Sequence, residues 1–128
     1  LDELLKHSDF VVLTCAYSPE MKELINKETL SKMKRNAVLI NTSRGALINQ
    51  DDLYAALSSG QIRAAGLDVT MPEPLPPDNP LFSLSNCVIL PHIGSATERA
   101  RTEMLHIAED GILGVLDGPK LPQHLRVV

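Results

Sequence analysis

The sequence predicts an α/β fold with a parallel sheet of about four strands and a long helix near its C-terminal end. Short apolar runs occupy residues 10–13, 37–41, 64–67 and 88–90, at intervals of about 25 residues. Helix signals lie between these runs, and strands that alternate with helices form parallel sheets through right-handed crossovers. Because such strands are usually covered on both faces, we expect the run Phe10–Leu13 to be buried on both sides.

Polar residues that cap helices precede most of the helical stretches. The expected elements are a helix that ends at Ser8-Asp9, a short helix near residues 21–24, a helix from the Asn26 cap through residue 33, a helix from the Asn49 cap to Gly60, and a long helix from the Ser95 cap to about Leu116.

The long C-terminal helix has its own start and stop signals. Ser95 and Glu98 have the spacing of a capping box, and Gly118-Pro119 is expected to end the helix before an extended tail. The second half of this helix is apolar on more than one face, which predicts that it packs against something beyond the sheet. Upstream, prolines from residue 72 to residue 80 predict a stiff loop without regular structure, which can hold Glu73 in place.

Composition excludes several classes of function. The chain has 128 residues, 44% of them hydrophobic, which suits one soluble domain with a real core. A net charge of −4 and the absence of a Lys/Arg cluster argue against nucleic-acid and membrane partners. The sequence has no apolar stretch long enough to cross a membrane and no secretory signal pattern, so we expect a cytoplasmic protein.

The cysteines and histidines do not have the spacing of a metal site, and we expect no metal. Cys15 and Cys87 both lie at apolar runs, so buried free thiols are the expected state rather than a disulfide.

Chemically useful side chains follow each apolar run. Ala16, Arg44, Asp68 and His92 stand at or just beyond the ends of the four runs. If the runs are parallel strands, these residues meet at one edge of the sheet, where open α/β folds bind ligands.

Each of these residues also has a purely structural interpretation. Arg44 could be a surface arginine, His92 a structural histidine, Glu73 a solvated loop carboxylate, and Asp68 the cap of a turn. Together, however, they form a consistent set. An arginine fork binds a carboxylate, a histidine transfers a proton near neutral pH, and a glutamate orients the histidine. Such a set suits reduction of a 2-oxo acid, with the hydride supplied by a cofactor.

Four segments carry a resemblance to a known family. They are residues 33–45 (MKRNAVLINTSRG), 66–69 (GLDV), 72–75 (PEPL) and 91–97 (PHIGSAT). In their order and spacing they resemble the D-isomer-specific 2-hydroxyacid dehydrogenases, and within that family the enzymes that reduce glyoxylate and hydroxypyruvate. The resemblance covers nearly the whole chain.

The resemblance implies both an architecture and a set of roles. Residues 1–94 would be the second half of a Rossmann-like nucleotide-binding domain, and residues 95–128 a helix and tail that return toward a substrate domain. Arg44 would bind the substrate carboxylate and His92 would be the acid and base, oriented by Glu73. NAD or NADP would contact Ala16, Thr42, Ser43, Asp68 and Gly94 as well as Arg44 and His92, while Ser95 would help to close the substrate site. A homodimer is also implied.

One departure from the family concerns the phosphate-binding loop. The sequence contains no GxGxxG segment, so the pyrophosphate of a dinucleotide has no glycine-rich loop to bind. We therefore expect the chain to be the C-terminal part of a larger enzyme and to be inactive alone. The alternative is a non-catalytic truncated product or a protein-interaction module that uses the apolar helix at residues 107–116.

Overall fold

A computed structural model of the protein describes residues 1–116, and it confirms the predicted fold class. One four-stranded sheet contains, in spatial and sequence order, the parallel strands β1 (Phe10–Leu13), β2 (Val38–Asn41), β3 (Ala64–Leu67) and β4 (Cys87–Ile89). The predicted helix end at Gly118-Pro119 and the extended tail lie outside the described residues.

Of the four helices, one precedes the first strand, two lie between strands and one follows the last strand. They are α1 (Asp2–His7), α2 (Lys27–Ser31), α3 (Gln50–Ser58) and α4 (Glu98–Leu116), with 3₁₀ turns at Pro19–Met21, Gly45–Leu47 and Pro80–Ser83. Both asparagine caps are confirmed. The Asn26 side chain accepts hydrogen bonds from the N–H groups of Glu28 and Thr29, and the Asn49 side chain accepts one from Asp52.

Several element boundaries differ from the prediction. Strand β2 begins at Val38 rather than at residue 37, and α2 ends at Ser31 rather than at residue 33. The expected helix near residues 21–24 is the 3₁₀ turn Pro19–Met21, because Glu23 has a left-handed backbone with φ of 53°, which a right-handed helix cannot contain. Strand β4 begins and ends one residue earlier than predicted. The proline-rich loop has no regular structure up to Pro80, which begins a 3₁₀ turn.

The cap of α4 is also different. The helix begins at Glu98, and the Ala100 N–H donates to Thr97 Oγ1 at 3.2 Å. Thr97 is therefore the residue that caps α4, and the predicted cap at Ser95 is wrong. Both residues are good helix caps, and the sequence pattern alone favoured the one with a glutamate three positions later.

The core lies on one face of the sheet. Val11 and Leu13 of β1 are buried, whereas Phe10 is 67% exposed and Val12 is 50% exposed. The prediction that this strand is buried on both faces is therefore wrong, because α1, α2 and α3 supply core residues to one face only. Their main contributions to that core are Leu5, Leu30, Leu53 and Leu57.

The chain divides into two compact units. The first is Leu1–Ile93 and contains the sheet with α1, α2 and α3, and the second begins at Gly94 and contains α4. Large apolar side chains of α4 are exposed, namely Met104, Leu105, Ile107, Ile112, Leu113, Val115 and Leu116. Within residues 1–116, no helix combines the length and apolar character that a membrane span requires.

Candidate active site

The last residues of the four strands lie side by side across the sheet. Leu13 pairs with Asn41, Asn41 with Leu67, and Leu67 with Ile89. The segments that follow these residues therefore leave the sheet at one edge, as the sequence predicts. Every candidate residue of the first unit lies on one of these segments.

The buried side chain of Asn41 shapes the segment that carries Arg44. Its Oδ1 accepts a hydrogen bond from the Ser43 N–H at 3.0 Å, and its Nδ2 donates to the Arg44 carbonyl at 2.9 Å. The side chain is fully buried, so these bonds replace the water that the amide would otherwise bind. Asn41 thus fixes the turn that places Arg44 at the sheet edge.

Ser43 and Arg44 connect this turn to its surroundings. The Ser43 hydroxyl donates to the carbonyl of Cys15, which follows β1, so two neighbouring strand ends are tied together. The Arg44 side chain is exposed, and its Nη1 donates to the Ser43 carbonyl at 2.7 Å. Since a guanidinium has five N–H donors, the others are available to bind an anion.

Four of the predicted residues line one cavity of about 580 Å³ at this edge. The lining residues are Thr14, Cys15, Ala16, Tyr17, Thr42, Ser43 and Arg44. The structure thus brings Ala16, Thr42, Ser43 and Arg44 together. The sequence-based description of Cys15 as buried is wrong, because its side chain is exposed beside this cavity.

His92 lies on a strained turn after β4. Its backbone is left-handed, with φ of 54°, and its N–H donates to the Asp68 carbonyl at 2.9 Å. Histidine tolerates this conformation better than most residues, yet it still costs free energy relative to glycine. The turn is held in place by its contacts with the segment that follows β3.

Asp68 braces the same turn through its side chain. It is 7% exposed, and its Oδ1 accepts a hydrogen bond from the Ile93 N–H at 2.8 Å. One of the two interpretations from the sequence, a carboxylate that caps a turn, thus describes a contact that the structure contains. The turn is that of His92, though, and not the one that directly follows Asp68. The second interpretation, contact with a cofactor, stays a prediction.

Glu73 and His92 are brought together as predicted. Glu73 Oε1 lies 2.5 Å from His92 Nδ1, a short hydrogen-bond distance between side chains 19 residues apart. Both side chains are partly exposed, at 39% and 52% respectively. A carboxylate on Nδ1 fixes the ring and leaves Nε2 as the nitrogen that can exchange a proton with a ligand.

Two candidate residues lie outside the first unit. Gly94 and Ser95 belong to the second unit, so their roles in closing the site stay predictions. Among residues 1–116, no group of three or more His, Cys, Asp or Glu side chains is arranged to hold a metal ion.

A family comparison agrees with this geometry. The family described as D-isomer specific 2-hydroxyacid dehydrogenase, NAD binding domain, matches residues 1–94. The match spans all four strands and every candidate residue except Ser95. The chain belongs to this family.

Relatives of the chain share its sequence and its fold. A human glyoxylate reductase/hydroxypyruvate reductase is 54% identical over 125 residues, which are 98% of this chain and 38% of the relative. A crystal structure of a protein from Thermus thermophilus has a TM-score of 0.90 at 50% identity, covering 94% of this chain and 39% of the other. A glyoxylate reductase from Paecilomyes thermophila has a TM-score of 0.88 at 35% identity, and the match covers 94% of this chain and 37% of that one. The chain thus spans about two fifths of the length of these relatives.

The family to which the chain belongs is an NAD binding domain. The cavity lined by Ala16 and Thr42 lies at the carboxyl ends of parallel strands, where open α/β folds bind their ligands. Arg44 at the rim supplies a cation. Held in this cavity, the cofactor would supply a hydride, a reaction for which no protein side chain is suited.

Asn41 and Gly45 are residues of the candidate site that sequence reasoning did not single out. A polar residue at the last position of an apolar strand was the available signal for Asn41, because a buried amide needs partners close by. Gly45 has no such signal, since its role depends on a distant segment. A Cβ atom on Gly45 would lie 2.1 Å from both the carbonyl carbon and the carbonyl oxygen of Thr70. Only glycine allows the Arg44 segment to lie directly on the segment that leads to Glu73.

Replacing Gly45 with alanine is expected to destabilise the chain by about 1–3 kcal/mol, because two backbone segments must move apart to admit the methyl group. The measurement is the free energy of unfolding in urea. Gly66→Ala is the matched control, since a Cβ at Gly66 meets nothing within 4 Å. Equal stability of the two variants would contradict the close approach of Gly45 to Thr70.

The two thiols of the chain are expected to react at very different rates. Burial raises the pKa of the Cys87 thiol to about 11, whereas Cys15 is exposed. Because the thiolate is the nucleophile, we expect Cys15 to react fast and Cys87 to react slowly with a disulfide reagent at pH 7.5. The rate for Cys87 should rise about tenfold per pH unit up to its pKa. Cys15→Ser should remove the fast phase and Cys87→Ser the slow one, and two equal rates would refute the assignment.

Proposed function

We propose that the longer protein containing this chain reduces small 2-oxo acids, including glyoxylate and hydroxypyruvate, with NADH or NADPH as the hydride donor. The observation that carries the proposal is the 2.5 Å contact between Glu73 and His92 at the edge of the sheet where ligands bind. Arg44 and the cavity that it lines lie at the same edge of the sheet and would bind the substrate and the cofactor.

Each side chain has a distinct part in this reaction. The Arg44 guanidinium binds the carboxylate of the oxo acid and so orients the carbonyl group. His92 in its protonated form gives the Nε2 proton to the carbonyl oxygen as the carbonyl carbon receives the hydride. Glu73 holds the imidazole ring through Nδ1, so that Nε2 faces the substrate. In the reverse direction, His92 accepts the proton of the hydroxyl group.

The test uses a chimera, defined as the human relative in which the matching 125-residue segment is replaced by this chain. The chimera has the full length of the human relative, and every candidate residue in it comes from this chain. We expect oxidation of NADH or NADPH in the presence of glyoxylate or hydroxypyruvate, followed by absorbance at 340 nm. The isolated chain is expected to show no turnover, because it has no phosphate-binding loop. A folded chimera that binds NADH and NADPH but reduces neither acid would refute the proposal.

The second candidate is a protein-interaction module. It is favoured by one observation, the exposed apolar side chains of α4, such as Ile112 and Leu116. A chimera that lacks activity, together with an isolated chain that folds and self-associates through α4, would support this alternative. Replacing both residues with aspartate should then abolish the association.

Two further properties belong to the same proposal. We expect the longer protein to be a homodimer, and light scattering of the chimera measures this directly. The cytoplasmic location predicted from the sequence is supported by Cys15 and Cys87, which are both free thiols, the state that a reducing compartment maintains.

A further inference from the structure

Gln50 forms a paired contact with a distant backbone segment. It is the first residue of α3, and its Nε2 donates to the Met71 carbonyl at 2.7 Å, while the Met71 N–H donates to its Oε1 at 2.9 Å. A side-chain amide presents one donor and one acceptor in a plane, so it matches a peptide backbone as a neighbouring strand would. Both bonds are well formed in length.

Met71 lies near the start of the loop that carries Glu73, which spans residues 69–78. Prolines at positions 72, 74, 76 and 77 supply no N–H donors, so this loop has few means of holding itself by backbone hydrogen bonds. Its internal bonds include one from Thr70 Oγ1 to the Pro72 carbonyl at 2.9 Å. The side chains of Gln50 and His92, which both lie outside residues 69–78, hydrogen-bond the loop from two different elements.

The start of α3, which carries Gln50, is held firmly in place. Asn49, directly before Gln50, caps α3, and its N–H donates to the Ile25 carbonyl at 2.8 Å. The Ile25 N–H donates in turn to the Leu47 carbonyl at 2.9 Å, and all three apolar neighbours Ile25, Leu47 and Ile48 are buried. Gln50 thus projects from an element that packing and backbone bonds hold in place, which is what precise positioning requires.

We propose that Gln50 is a positioning residue for the proton-transfer pair: by binding Met71 it holds Glu73 where the carboxylate meets His92 Nδ1. The inference rests on the proposed function and deepens it. Gly45, which lies against Thr70, belongs to the segment that leads into α3, so Gln50 also ties the Glu73 loop to the Arg44 segment. One amide therefore links the group that orients the histidine to the segment that binds the substrate.

The first experiment is a double-mutant cycle in the chimera with Gln50→Ala and Glu73→Ala. Gln50→Ala alone should lower kcat for glyoxylate about tenfold and change KM less than twofold, because the ring is positioned less well while carboxylate binding persists. In the Glu73→Ala background the same change should alter kcat less than twofold, since the group that Gln50 positions is gone. Equal losses in both backgrounds would show a merely structural role and overturn the inference.

A second variant protects the test against a folding defect. Gln50→Glu keeps an acceptor for the Met71 N–H and places a negative charge at a helix N-terminus, which stabilises the helix, but it removes the donor to the Met71 carbonyl. We expect a reduced kcat with unchanged thermal stability. Asp51→Ala is the matched control, because Asp51 is the next residue of the same turn and is exposed. Its kcat should stay within twofold of the parent chimera.

Amide exchange reports on the contact without using activity. In the chimera, the amides of a peptide that covers residues 69–75 should exchange about tenfold faster when Gln50→Ala is introduced. Asp51→Ala should leave their exchange rate unchanged. Unchanged exchange in Gln50→Ala would overturn the inference. If Glu73→Ala lowers kcat while Gln50→Ala does not, the inference fails and the proposed function stands. If Glu73→Ala leaves kcat unchanged, the proposed role of Glu73 fails, and the inference with it.

Discussion

Replacing His92 with alanine in the chimera should lower kcat for glyoxylate by about 10²–10⁴, the usual contribution of a positioned general acid. The reason is that the Nε2 proton no longer reaches the carbonyl oxygen as the hydride arrives. KM should change much less, because Arg44 still binds the carboxylate. The measurement is steady-state oxidation of NADH at saturating glyoxylate.

Two companion variants make this result interpretable. His92→Asn keeps a residue that tolerates the left-handed backbone at this position, so a similar loss of kcat excludes backbone distortion as the cause. His106→Ala removes an exposed histidine of α4 and should leave kcat unchanged. An effect of His92→Ala and His92→Asn confined to KM would contradict the assignment of His92 as the acid.

Replacing Arg44 with alanine should raise KM for glyoxylate by about 10–100-fold, because a charge-assisted hydrogen bond contributes about 1.5–3 kcal/mol. The loss falls on KM because the guanidinium binds the carboxylate equally in the ground state and the transition state. The KM of Arg44→Lys should lie between that of the parent chimera and that of Arg44→Ala, because lysine keeps the charge but not the planar fork.

The control for Arg44 is Arg63→Ala, which removes an exposed arginine just before β3. Its KM should match that of the parent chimera. If Arg44→Ala left KM unchanged and reduced only kcat, the arginine would act on the reacting carbonyl instead, and the proposed binding role would be wrong.

Much of the architecture follows from local pattern. The apolar runs that form β1 and β3 have the predicted bounds, and the Asn26 and Asn49 caps mark the starts of α2 and α3, because the bounds of an apolar run and the capping of a helix are decided by adjacent residues. The convergence of Arg44, Glu73 and His92 on one sheet edge follows from parallel topology alone. Local pattern and topology were enough for these features.

What the sequence did not reveal depends on contacts between distant segments. The exposed face of β1 depends on which helices cover the sheet, and no pattern within Phe10–Leu13 carries that information. The approach of Gly45 to Thr70 and the bonds between Gln50 and Met71 join residues more than twenty positions apart. The left-handed backbone of Glu23, which shortened a predicted helix, accompanies a bond from its N–H to the Ala46 carbonyl.

The left-handed backbone of His92 sets stability against activity. A non-glycine residue in this conformation costs roughly 1 kcal/mol relative to glycine. His92→Gly would relieve this strain, but it would also remove the imidazole that contacts Glu73 and that we propose as the proton donor. An engineer who stabilises this domain by relieving backbone strain should leave residue 92 unchanged, because the strain at that turn is the structural cost of holding an imidazole against Glu73.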